Sequence, residues 1–181
     1  MVAYELSRRS NRLRVIRQVR YSAHNEYSID LVLFLNGLPV ATVEIKTDNT
    51  QAIEDAVRQC KQDRNSQPKG LSPEPLLSFP SGALVHFAVS SSRVKMATHL
   101  QGPRTEFLPF DLGDDGGAGN PVNPHGHRTA YLWEQVWQRD SWLEILGGIS
   151  CRSEMTRSRS PSSSSRGSTS WTSRGSFSRR L

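Results

Sequence analysis

Residues 29–46 read Ile29-Asp-Leu-Val-Leu-Phe-Leu-Asn-Gly-Leu-Pro-Val-Ala-Thr-Val-Glu-Ile-Lys46. Two runs of apolar and β-branched residues flank Asn36-Gly37, a pair that readily reverses the chain, so the segment predicts a β-hairpin. Its register follows from which face must be apolar. A two-residue loop at Asn36-Gly37 sets Asp30 opposite Val43 and turns Glu44 to the other face. A three-residue loop centred on Gly37 pairs residues whose numbers sum to 74 and sets Asp30 opposite Glu44. That second register sorts Ile29, Leu31, Leu33, Leu35, Pro39, Ala41, Val43 and Ile45 onto one uniformly apolar face. Asp30, Val32, Phe34, Val40, Thr42, Glu44 and Lys46 then share the other, and the clean separation favours this register.

Working outward, Asn49-Thr50 is placed to cap a helix over 51–64, with Ile53, Ala56, Val57 and Cys60 on the face that packs against the sheet. A proline-rich linker (Pro68, Pro73, Pro75, Pro80) leads to a buried strand, Ala83 to Val89, and a second hairpin with Val94 to Leu100 as one arm. Asp111 to His127 is too rich in glycine and proline for regular structure. Thr129 is placed to cap a helix over 130–146, where Leu132, Trp133, Val136 and Trp137 form an apolar stripe that reads as core rather than as a stacking platform for bases. The expectation is an α/β fold, with the 29–46 hairpin at the centre of a mixed sheet flanked by these two helices.

The chain has 181 residues and 23 basic against 17 acidic side chains, a formal net charge of +6. Residues 151–181 alone hold seven arginines against one glutamate, and residues 1–150 hold sixteen of each sign. The net charge therefore belongs to the C-terminal stretch, and the rest gives no charge argument for nucleic acid. With twelve serines in its 31 residues that stretch has little to bury. It is expected to be a disordered Arg/Ser-rich tail from residue 148, leaving 1–147 as the folded domain. The tail reads either as a nucleic-acid-binding arm or as an unselected extension, since a reading-frame shift in a GC-rich gene produces the same abrupt change. The longest apolar run is interrupted by Asn36, Gly37 and Pro39, so no membrane span is expected. Cys60 and Cys151 make no disulfide framework and the start lacks a signal peptide's apolar core, which points to a reducing, cytoplasmic setting.

Asp30, Glu44 and Lys46 cluster at one end of an otherwise apolar hairpin. Two carboxylates a strand spacing apart raise one another's pKa unless a cation lies between them. Such oxygens suit Mg²⁺, which binds through one or two carboxylates and fills its remaining positions with water and phosphate. Lys46 on the same face can orient water or offset charge at a phosphate. The alternative is a cross-strand ion pair in which Lys46 satisfies either acid.

Asp30, thirteen intervening residues and Glu44-Ile45-Lys46 resemble the PD-(D/E)xK nuclease motif. Arg17-Gln-Val-Arg-Tyr-Ser22, Ser28-Ile-Asp-Leu-Val-Leu-Phe34, Asn36-Gly-Leu-Pro39, Ala83-Leu-Val-His-Phe-Ala-Val89, Phe107-Leu-Pro-Phe110, Gly116-Gly-Ala-Gly-Asn-Pro121 and Arg128-Thr-Ala-Tyr-Leu-Trp-Glu134 are similar, in order, to the N-terminal nuclease domain of the R subunit (HsdR) of type I restriction enzymes. The resemblance covers about residues 4–147, and the ordered series of words makes it specific. It implies a restriction-endonuclease-like core that cleaves double-stranded DNA with Mg²⁺. Asp30 and Glu44 would be metal ligands, the Ile45 carbonyl a further one, and Lys46 the catalytic lysine. Gln59 matches a glutamine that the family carries near the site, with Asp63 where a tyrosine usually follows. Modification and specificity subunits would be partners, with ATP and S-adenosylmethionine used only by the intact complex. The motor lobes and the acidic first helix of that subunit have no counterpart in this sequence, so the chain is expected to be a fragment, active or inactive.

Other candidates are weaker. His125 and His127 lack a third ligand nearby, and Asp111, Asp114 and Asp115 lack the closing glutamate of a calcium loop. The arginines at 8, 9, 12, 14, 17 and 20 read either as phosphate contacts or as a solvated strand face.

Overall fold

The structure is a computed structural model that describes residues 10–48 and 52–147. Six strands form one sheet in chain order: β1 (Leu13–Arg20), β2 (Ser28–Leu35), β3 (Leu38–Ile45), β4 (Val85–Val89), β5 (Val94–Ala97) and β6 (Leu108–Pro109). Every neighbouring pair is antiparallel except β3 and β4, which are parallel and therefore need a long crossover. Helix α1 (Ile53–Gln62) and a 3₁₀ turn (Pro75–Leu77) lie within that crossover. Asn49 and Thr50, the expected cap, lie outside the described residues; Ala52 stands at the N-cap, and Asp55 Oδ2 reaches back to accept its N–H at 3.1 Å.

The central hairpin forms, but its loop corrects the sequence reading. Asn36 (φ 53°) and Gly37 (φ 87°) both have positive φ, as a type I′ turn requires, and Leu35 pairs directly with Leu38. The loop thus has two residues, not three. A bulge between Leu33 and Phe34 then admits Val40 as an extra residue on β3, after which Leu33, Leu31 and Val32 pair with Ala41, Val43 and Thr42. The expected register is reached at the Asp30 end by this route. Because the bulge turns it over, Val40 packs with Leu33, Tyr131 and Trp142 rather than on the polar face.

Both sheet faces are covered. On one, Leu33, Ala41, Val43, Val85, Phe87 and Val94 pack against Tyr131, Leu132, Trp142 and Leu146. On the other, Ile53 and Ala56 of α1 sit on Ala88, while Val32 and Ile29 pack with Cys60, Leu77 and Leu100. Ile29 was expected on the first face; it joins the α1 side where β1 and β2 are distorted around Gln18 and Asp30.

The helix expected over 130–146 is broken. Leu132–Val136 form a π-helical turn, and a second helix, α2, occupies residues 139–147. Thr129 does not cap it: its hydroxyl donates to Ser90 O at 2.9 Å and ties the segment to the end of β4. Leu132 is buried and Val136 and Trp137 are partly so, as a core reading requires, but Trp133 is exposed. The stretch 148–181 lies outside the described residues. No helix among the described residues is long and apolar enough to cross a membrane.

Candidate active site

The β2/β3 ladder stops at Leu31 and Val43. Beyond it Asp30 supplies the next rung with its side chain: Oδ2 accepts the Ile45 N–H at 2.8 Å. Oδ1 accepts from Gln18 Nε2 at 3.1 Å, so both oxygens are held by groups from the flanking strands.

Glu44 follows on β3 and is buried, with 2% of its surface exposed. Its Oε1 accepts from Arg64 Nε at 2.6 Å, and the rest of the guanidinium is also engaged. Nη2 donates to Ser28 O at 2.8 Å, Nη1 to the Tyr21 hydroxyl at 3.4 Å, and the group lies 5.3 Å from the centre of the Tyr21 ring. Glu44 Oε2 is buried with no hydrogen-bond partner among the described residues. Burial raises the Glu44 pKa; the hydrogen bond and charge of Arg64 work against that rise, the carboxylate of Asp30 adds to it, and Lys46 opposes it. Burial, and then the charge of Glu44, also push the Cys60 thiol upward, with lesser effects from Arg64, Asp30 and Lys46. All four charges thus act on Cys60, which lies on the α1 side of the sheet.

Lys46 is half-buried and donates its backbone N–H to Val89 O at 2.9 Å. Among the described residues its ammonium makes no hydrogen bond or ion pair; Arg64, just past α1, pairs with Glu44, so the alternative in which Lys46 satisfies an acid is not the arrangement found. Gln59 stands on α1 beside Cys60, half-buried, and its side chain makes no hydrogen bond among the described residues. Its carbonyl accepts the Asp63 N–H, and the Asp63 carbonyl in turn accepts from the Tyr21 hydroxyl at 3.0 Å. A tyrosine hydroxyl therefore reaches the end of α1 from Tyr21, the residue after β1, although residue 63 is aspartate.

The sequence reading gave Arg64, Gln18 and Tyr21 no role at the site. Arg64 follows the end of α1 in a polar stretch where nothing marks it as buried. The weaker candidates do not assemble: Asp111 Oδ1 anchors its loop by accepting from Val94 N–H and Asn120 Nδ2, and His125 and His127 are exposed. Arg12, Arg14, Arg17 and Arg20 are exposed on or beside the edge strand β1, and Arg20 pairs with Glu26 at 2.5 Å.

A mixed six-stranded sheet with acids and a lysine at the end of a central hairpin defines a class of α/β protein with a charged site at a strand terminus. The family model described as type I restriction enzyme R protein N terminus matches residues 7–104, which include every residue of this cluster, and the chain belongs to that family. No curated protein matches the chain.

Proposed function

We propose that this chain is the DNA-cleaving region of a type I restriction R subunit, hydrolysing phosphodiester bonds of double-stranded DNA with Mg²⁺. The observation that carries this reading is Glu44 Oε2, a buried carboxylate oxygen without a donor, in the electrostatic reach of Asp30. A buried acceptor with no hydrogen bond is costly unless something satisfies it, and a cation does so. No group of three or more His, Cys, Asp or Glu suited to a metal occurs among the described residues, but Mg²⁺ needs only one or two carboxylates. The donor set fits: Asp30 and Glu44 would hold the ion, with the Ile45 carbonyl as a further ligand. When bound, Mg²⁺ supplies Lewis-acid polarisation of a phosphoryl oxygen and acidifies bound water. The Lys46 ammonium offsets negative charge at the scissile phosphate or orients the attacking water, and Gln59, next to Cys60 on α1, is the glutamine this reading assigns to the site. Modification and specificity subunits are the partners this reading assigns, with ATP and S-adenosylmethionine acting elsewhere in the intact complex.

The Arg64–Glu44 pair favours a second reading, a structural ion pair with no metal role. Mg²⁺ separates the two. At ten times Kd it should stabilise the folded chain by about 1.4 kcal/mol, seen as a rise in Tm. Asp30→Ala should abolish that response, whereas Lys46→Ala should keep it and lose plasmid nicking. No Mg²⁺-dependent shift in the parent chain would sink the catalytic reading.

A further inference from the structure

Five contacts close a ring around the acid pair. Glu44 Oε1 accepts from Arg64 Nε at 2.6 Å, and Arg64 Nη2 donates to Ser28 O at 2.8 Å. The Ser28 hydroxyl donates to Gln18 Oε1 at 3.0 Å, and Gln18 Nε2 donates to Asp30 Oδ1 at 3.1 Å. Asp30 Oδ2 accepts from Ile45 N–H at 2.8 Å, and Ile45 is the covalent neighbour of Glu44.

Gln18 is unusual for a second reason. Its φ of 49° is positive, which no other non-glycine strand residue among those described shows. It faces Asp30 at the one gap in the β1/β2 pairing, between Arg17↔Leu31 and Val19↔Ile29. A side chain with a Cβ is strained in that conformation, and such strain persists where the surrounding structure over-determines it. The amide also has the right chemistry at both ends: it accepts from a hydroxyl and donates to a carboxylate, which glutamate in its place would repel. Arg64 does the complementary work on Glu44, because one planar guanidinium spans a β3 side chain and a β2 carbonyl together. The ring satisfies Asp30 and one oxygen of Glu44, and it leaves open Glu44 Oε2 and the Lys46 ammonium.

We propose that Gln18 and Arg64 are positioning residues that hold Asp30 and Glu44 in one fixed arrangement for a divalent cation. This rests on the metal reading above, and the experiment keeps the two apart. The full chain and three variants are titrated with Mg²⁺, and with Mn²⁺ as a second probe, following Tm and extracting the half-saturating concentration. Gln18→Gly deletes the amide but accepts the positive φ, so the metal-free Tm should stay close to the parent's while half-saturation rises about ten-fold or more, as when a partner of a metal ligand is lost. Ser28→Ala, a minimal change, should shift it in the same direction by less. Arg64→Lys keeps the charge but cannot span both acceptors, and should weaken metal binding in both titrations. A purely structural role predicts a lower metal-free Tm with half-saturation unchanged. If the parent responds to metal and neither Gln18→Gly nor Ser28→Ala alters its half-saturation, the positioning role is wrong while the metal site stands. If the parent itself shows no response to either ion, both fall.

Discussion

His86 pairs with Thr42 across the β3/β4 ladder, its Nδ1 2.7 Å from Thr42 Oγ1 and its Nε2 buried without a hydrogen-bond partner among the described residues. Burial, with a smaller contribution from the charge of His99, lowers its pKa from 6.5 to about 3. The folded chain therefore keeps His86 neutral where the unfolded chain takes up a proton. Its contribution to stability is present above the unfolded pKa and is lost as pH falls from 6.5 toward 3, by at most about 1.4 kcal/mol per unit. Glu44 has the opposite sign: its folded pKa is raised, so its contribution is lost as pH rises above the ordinary 4.5. Urea unfolding at pH 6.5 and pH 5 should show acidification destabilising the parent relative to His86→Gln, since Glu44 contributes equally to both; the same change in the two proteins would contradict a buried neutral imidazole. At this scale Asp30, Glu44 and Lys46 were legible because polar residues interrupt an apolar alternation. Gln18 and Arg64 were not, since a backbone angle leaves no mark on side-chain pattern and an arginine two residues past a helix reads as solvated.

The hairpin shows how an element can be right for an incomplete reason. Period-two alternation identified both strands, and turn chemistry alone would have given the two-residue loop, but only a bulge reconciles that loop with the register at Asp30. Bulges cost no particular residue type, so alternation cannot locate them. The broken 130–147 segment is similar: its apolar spacing is helical, yet Leu132–Val136 winds as a π turn before α2 begins. Two glycines separate the local rules experimentally. Gly37 has a φ of 87° and open space around a would-be Cβ, so Gly37→Ala meets only backbone strain, about 1–2 kcal/mol. At Gly82 a Cβ would lie 2.3 Å from Pro75 O and 2.4 Å from Leu76 O, both backbone, so the 3₁₀ turn must move. Gly82→Ala should therefore lower stability more than Gly37→Ala in denaturant melts; the reverse order would show that the crossover yields more readily than the hairpin.

Across the whole molecule the charge divides sharply, with +6 in residues 151–181 and none net in 1–150. Non-specific attraction to DNA scales with the phosphates neutralised, so the terminal arginines should dominate it. A variant ending at Gly147 should bind duplex DNA more weakly at low salt, with a log–log salt slope shallower by up to about six in fluorescence anisotropy, and should retain any Mg²⁺ response of the parent. An unchanged slope would place the DNA contacts within residues 1–147 instead. The parallel contact between β3 and β4 bears on time as well as on space. β1 to β3 and β4 to β6 are each successions of neighbouring antiparallel strands, whose connections are shorter than the crossover and are expected to close first. Their junction is the pairing of greatest sequence separation in the sheet, spanning the crossover from residue 46 to residue 84, and so is expected to form after the local pairings. Until it closes, β3 is an open edge. During synthesis the strand that carries Glu44 emerges before the strand that covers it, so the order in which the chain is made leaves its acid-bearing edge uncovered until β4 arrives.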